Sequence, residues 1–189
     1  GPMPRPMGWR PSLISASSCR PRRWATYSKS FFSRWASGML RTLAVGPTGR
    51  TFASGDFKAV DGVTRTRIVA LHPDGRVDGT FDPGTGTNAT VSSVTAEADG
   101  GATLGGAFSQ VAGQARMRIA RLHADGSLAP DFAGLAGPNG NVLASHRQSD
   151  GKLLIGGAFS RGNGLNRANL ARLNADGSLG KRNGVKCGK

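Results

Sequence analysis

The chain has 189 residues, enough for one ordinary domain or a short repeat array. Its 25 Lys+Arg against 11 Asp+Glu give a net charge of +14, but seven basic and no acidic residues fall in 1–38, four basic and no acidic ones in 181–189, and 39–180 carries only +3. No apolar run approaches the ~18–20 residues of a membrane helix, and two cysteines, Cys19 and Cys187, both in the flanks, exclude a disulfide scaffold or a cysteine-ligated zinc site in the middle.

In chain order, Gly1-Pro2 ahead of Met3 reads as the scar of a removed tag. The rest of 1–38 is rich in Arg, Ser and Trp, and three readings stay open for it: a targeting segment, an out-of-frame segment, or a source of one added strand at 24–28. It lacks the apolar stretch of a secretory signal.

From there a repeat organises the chain. Gly55-Asp56-Phe57, Gly106-Ala107-Phe108 and Gly157-Ala158-Phe159 recur at a spacing of 51 residues, as do Asp74-Gly75, Asp125-Gly126 and Asp176-Gly177. Residues 91–128 and 142–179 share 18 identities in 38 positions without a gap, and 40–81 and 91–132 share 13 in 42. The units are 39–89, 90–140 and 141–180, followed by the basic tail 181–189.

Within a unit, the β-branched stretch 91–96 predicts a first strand, Asp99-Gly100 a hairpin, and 102–104 a second strand. Asp-Gly at these places predicts type I′ turns, which need positive φ at both central residues. Gly105-Gly106 and Gly156-Gly157 mark points where another backbone approaches closely. Residues 118–122 predict a third strand, and 127–132 a fourth after the Asp125-Gly126 turn. Sustained helical periodicity is absent and glycine is abundant, with 29 residues. The fold class is therefore all-β, with β-propeller-type blades formed by three four-stranded repeats of 51 residues. Closed propellers use about four to eight blades, so three units leave three routes open: two chains pairing into a ring as a homodimer, which is the expected one, a chain that is a fragment, or flanks that cover the open edges.

The runs Gly-Gly-Ala-Phe, Arg-Ile-Ala-Arg-Leu-His-Ala-Asp-Gly-Ser-Leu (118–128) and Asp-Gly-Lys-Leu-Leu-Ile-Gly-Gly-Ala-Phe (150–159) resemble the bacterial delta-60-type repeat over about 39–180. That resemblance implies a propeller-type fold in long, often surface-associated bacterial proteins and hence an extracellular or cell-surface setting. It carries over no catalytic residue. The first unit departs from the pattern at Ser54-Gly55-Asp56, and the third loses it after Leu179.

Candidate chemistry is sparse. His72 and His123 occupy equivalent places before Asp-Gly turns, with Asn174 third, and His146 lies on the first strand of the last unit. Together with Asp74 and Asp125 they are candidate catalytic or metal-ligating groups, set against the plainer role of turn residues. Arg116, Arg121, Arg167 and Arg172 recur and are candidate contacts for an acidic ligand, or else partners of nearby aspartates. No cofactor is expected for a non-catalytic binding or scaffold module; a hydrolase is the alternative, with Zn or Ca in the channel of a ring made by two chains. The basic flanks suit non-specific polyanion contacts; sequence-specific nucleic-acid recognition and a membrane partner are not expected.

Overall fold

The computed structural model describes residues 36–132, 137–162 and 164–180, which contain strands and turns but no helix. The readings made for 1–35 and 181–189 lie outside these residues.

Three antiparallel sheets follow one another along the chain. The first orders β1 (Met39–Val45), β2 (Thr51–Asp56) and β5 (Ile68–Leu71). The second joins β6 (Val91–Ala96), β7 (Ala102–Gly106) and β10 (Ile119–Leu122), and the third β11 (Asn141–Arg147), β12 (Leu153–Ala158) and β15 (Leu170–Leu173). A two-stranded ribbon follows the second strand of each: β3 (Ala59–Val60) with β4 (Val63–Thr64), β8 (Gln110–Val111) with β9 (Gln114–Ala115), and β13 (Arg161–Gly162) with β14 (Leu165–Asn166). Each ribbon is moored the same way. Ser37 Oγ, Asn88 Oδ1 and Asn139 Oδ1, 51 residues apart, each accept two backbone N–H groups at 2.8–3.0 Å from the start of the ribbon.

The turns correct one expectation. Gly49, Gly75, Gly100, Gly126, Gly151 and Gly177 all have φ between 76° and 90°, whereas the residue before each lies outside the positive-φ region. Each closes a four-residue turn, as where Gly75 N–H donates to His72 O at 2.9 Å and His72 N–H to Arg76 O at 2.9 Å. This is a type I turn with a glycine bulge, so one positive φ suffices. The aspartate contributes through its carboxylate instead. Asp74, Asp99, Asp125, Asp150 and Asp176 each accept the N–H two residues on, at 2.8–3.1 Å. Positive φ at both loop positions occurs elsewhere, at Asp61-Gly62 and Ala112-Gly113 in the ribbons.

The glycine at or one residue before the end of each second strand has a steric cause. A Cβ on Gly55, Gly106 or Gly157 would stand 2.0–2.1 Å from the carbonyl oxygen of Met39, Thr90 or Asn141, at or just before the start of the first strand. Opposite these glycines the first strand is bulged, with Arg41, Ser92 and Leu143 as the extra residues. The next residue but one is the repeated phenylalanine. Phe57, Phe108 and Phe159 are buried, and their carbonyls accept the N–H of Arg67, Arg118 and Asn169 at 2.8–2.9 Å, residues held at φ of 60–65°.

The blades stack face to face. Strand β2 packs on β6, β7 on β11, and β1, β6 and β11 touch in succession as innermost strands. Phe52, Ile68, Ala70 and Phe81 of the first blade share one core with Val91, Val94, Ala102, Leu104 and Leu122 of the second. Ile119, Ala129 and Phe132 meet Val142, Leu153, Ile155 and Leu173 in the same manner.

The four-stranded expectation is corrected to three ladder strands per sheet. The fourth position, including 127–132, is reduced to one bridge each: Leu71 with Val77, Leu122 with Leu128, Leu173 with Leu179. The chain leaves the edge because Phe81 and Phe132, four residues past Val77 and Leu128, turn into the inter-blade cores. Burying such a ring outweighs a few exposed edge hydrogen bonds.

Candidate functional site

A polar cluster lies at the seam between the first two blades. Arg50, just after the Gly49 turn, extends across that seam. Its Nη1 donates to Gly100 O at 2.9 Å and Ala124 O at 2.7 Å, both in turns of the second blade. Its Nη2 stands 2.7 Å from Asp78 Oδ2, and the guanidinium lies over the rings of Phe52 and Phe81 at 5.4 and 5.3 Å. The Phe rings themselves meet edge to face, 5.4 Å apart at 68°. Asp78 is buried, and its Oδ1 accepts from the Thr80 hydroxyl at 2.6 Å and amide at 2.9 Å. Burial pushes the Asp78 carboxyl up, but the Thr80 hydrogen bonds and the charges of Arg50 and His72 outweigh it and hold the group below the usual carboxylate range.

This cluster lines an open groove of about 530 Å³. Thr48, His72, Thr80 and Asp125 share its walls with Arg50 and Asp78. The His72 ring is half exposed, and its Nε2 lies 3.7 Å from Asp78 Oδ1. That exceeds a hydrogen bond, so His72 Nε2 is not spent on the carboxylate.

The second seam uses different residues for the same task. Glu97, also buried, pairs with Arg147 of the third blade and accepts the Thr103 hydroxyl at 2.5 Å. Beside it the hydroxyls of Thr95 and Ser145 meet at 2.7 Å across the seam.

The sequence candidates are dispersed, with one exception. His72 and Asp125 are brought to the same groove. His123 is exposed in the turn that precedes Asp125, and His146 is exposed on β11 in the third blade. Asp74 accepts Arg76 N–H at 3.0 Å and Asp125 the amide and hydroxyl of Ser127 at 2.9 and 2.7 Å, so both act as turn braces. Arg116 is buried, donating to Ala115 O and Pro130 O at 2.8 and 3.1 Å. Arg121 pairs with Asp99 at 2.6 Å, Arg167 donates to Asn166 O at 2.9 Å, and the charge of Arg172 is felt by Asp150. Among the described residues no group of three or more His, Cys, Asp or Glu stands together as a metal set.

Arg50, Asp78, Glu97 and Arg147 escaped the sequence reading, although a signal for them existed. Each breaks the repeat: Arg50 stands where the other units have Gly101 and Lys152, and Asp78 where they have Ala129 and Gly180. A search for what recurs passes over residues that interrupt recurrence.

Three stacked antiparallel blades, joined by apolar cores and polar seam contacts, define a β-propeller repeat protein. The family described as a domain of unknown function (DUF5122) with a β-propeller fold matches residues 46–81, 97–132 and 148–179. These matches cover more than half of the chain, and the chain belongs to that family. No curated protein shows a match to it.

Proposed function

We propose that the chain is a non-catalytic β-propeller binding module whose ligand surface is the groove at the first seam. One observation carries this reading. The recurring polar side chains are largely consumed by turns, ribbons and seams, whereas the groove gathers side chains specific to the first unit, Arg50, Asp78 and Thr80, with a half-exposed His72 at its edge. Arg50 and Asp78 neutralise each other, leaving His72, the Thr48 hydroxyl and Asp125 as the groups a ligand meets. That set suits an uncharged, hydroxyl-rich ligand of the oligosaccharide class better than an acidic one. The delta-60-type resemblance, with the bacterial surface setting it implies, fits such a ligand.

A hydrolase working through an activated nucleophile needs an imidazole held by a carboxylate beside that nucleophile. The nearest approach is His72 with Asp78, and there the carboxylate oxygen is already taken by Thr80. Screening the purified chain against an oligosaccharide array, alongside His72→Ala, tests the proposal. Binding that is lost in the variant supports it. Turnover of a chromogenic ester or glycoside by the wild type, abolished in the same variant, would replace it with the hydrolase.

A further inference from the structure

We infer that the open face of the third blade receives the first blade of a second copy of this chain, in the same register that joins the blades already in contact. The register is visible along the innermost strands. At the first seam a Cβ on Gly46 would lie 3.6 Å from Ala96 Cβ. At the second, Glu97 pairs with Arg147 and Thr95 with Ser145. All three pairs are 50 residues apart. Continued once more, and returned to the start of a second chain by the 51-residue period, the register sets Gln148 against Val45 of the second copy and His146 against its Leu43.

At the innermost strands and at Leu170 the two faces stand exposed as halves of an unmade seam, while Ala53, Phe57, Val60 and Val69 on the first blade are already buried, at 1–4% exposure. Val94 is 7% exposed against the first blade, while Leu43 at the equivalent position is 55% exposed, and its neighbour Val45 is 69% exposed. On the opposite face, Ile68 and Ile119 are 0% and 1% exposed, while Leu170, their counterpart, is 63% exposed. Gly105 shows how the faces interlock, because a Cβ there would come within 2.6 Å of Val142 Cγ1 from the next blade. Its counterpart Gly156 has only Asn169 O nearby, at 3.7 Å, so the socket is present and the knob is missing. Leu40, partly buried against the core of its own blade, occupies the place of Val142 in the first unit and is the knob a second copy brings. The same seam made twice about a two-fold axis joins six blades, with each copy giving and receiving one face. Apolar contact of this kind is insensitive to salt, unlike contacts made by the basic flanks.

The test uses the full chain at about 0.15 M salt, where flank repulsion is screened. Light scattering is expected to give twice the 19.5 kDa chain mass. Leu43→Glu and Leu170→Glu, both at solvent-exposed positions, are each expected to halve that mass while circular dichroism stays unchanged. With Cys19 and Cys187 replaced by Ser, the pair Leu43→Cys and His146→Cys is expected to oxidise to a covalent dimer, giving a readout that does not require a disrupted seam. A folded wild type at the single-chain mass overturns the inference. So does a dimer that survives both glutamate variants and fails to cross-link, or an open series of larger species.

Discussion

Arg50 and Asp78 lie 28 positions apart in the sequence and 2.7 Å apart in the structure, and the arginine also holds two carbonyls of the next blade. The pair therefore fastens a seam as well as neutralising itself. Asp78→Ala leaves a mostly buried guanidinium with two carbonyls but no counter-ion, and the expected loss is about 2 kcal/mol of stability. Arg76→Ala, whose side chain is 84% exposed in its pair with Asp74, is expected to cost well under 1 kcal/mol. Urea unfolding of both variants checks the contrast.

Acid should act on the same seam. Asp78 and Asp56 have carboxyls held below their ordinary range, Asp56 chiefly by the Thr90 hydroxyl at 2.6 Å from the second blade and then by Arg41. A carboxylate lowered in the folded state contributes stability that is complete above the unfolded pKa and is lost as pH falls through the folded one. Stability is expected to be level from neutral pH to about 5 and to decline below about pH 4. Asp78→Asn should flatten that decline, as read by thermal melting across pH.

Two kinds of glycine should respond differently to alanine. Gly157→Ala sets a Cβ 2.0 Å from Asn141 O, so the first strand must move, and a loss of about 3 kcal/mol or more is expected. Gly151→Ala meets nothing within 4 Å and bears only the strain of φ +76°, about 1–2 kcal/mol. Equal losses would mean that turn conformation, not backbone approach, selects both glycines.

Phe108→Ala removes a ring with 0% exposure from the core shared by the first two blades, and a loss of about 3–5 kcal/mol is expected. A loss below about 1 kcal/mol in thermal or urea unfolding would contradict the role given to the repeated phenylalanine.

Much of this architecture was legible because it repeats. The 51-residue spacing located the strands, and the glycines at 106 and 157 announced the close approach of Thr90 and Asn141. The turn type was not legible, because Asp-Gly suits both a type I′ turn and a type I turn with a glycine bulge; the aspartate's φ, outside the positive region, decides between them. The fourth strand shrinks to a bridge, because 127–132 has a strand's place after the Asp125-Gly126 turn but its apolar members serve the inter-blade cores. The groove was half legible. His72 and Asp125 stood out, but Arg50 and Asp78, which bring two blades together around it, are single departures from the pattern and pair at long range.

Backbone amide NMR of the full chain, titrated with the oligosaccharide that binds best in the array, tests the functional reading most directly. Shift changes are expected to concentrate at Thr48, His72, Thr80 and Asp125, and to disappear in His72→Ala. Changes centred instead on β11 around His146, or binding undiminished in His72→Ala, would contradict a ligand site at the first seam.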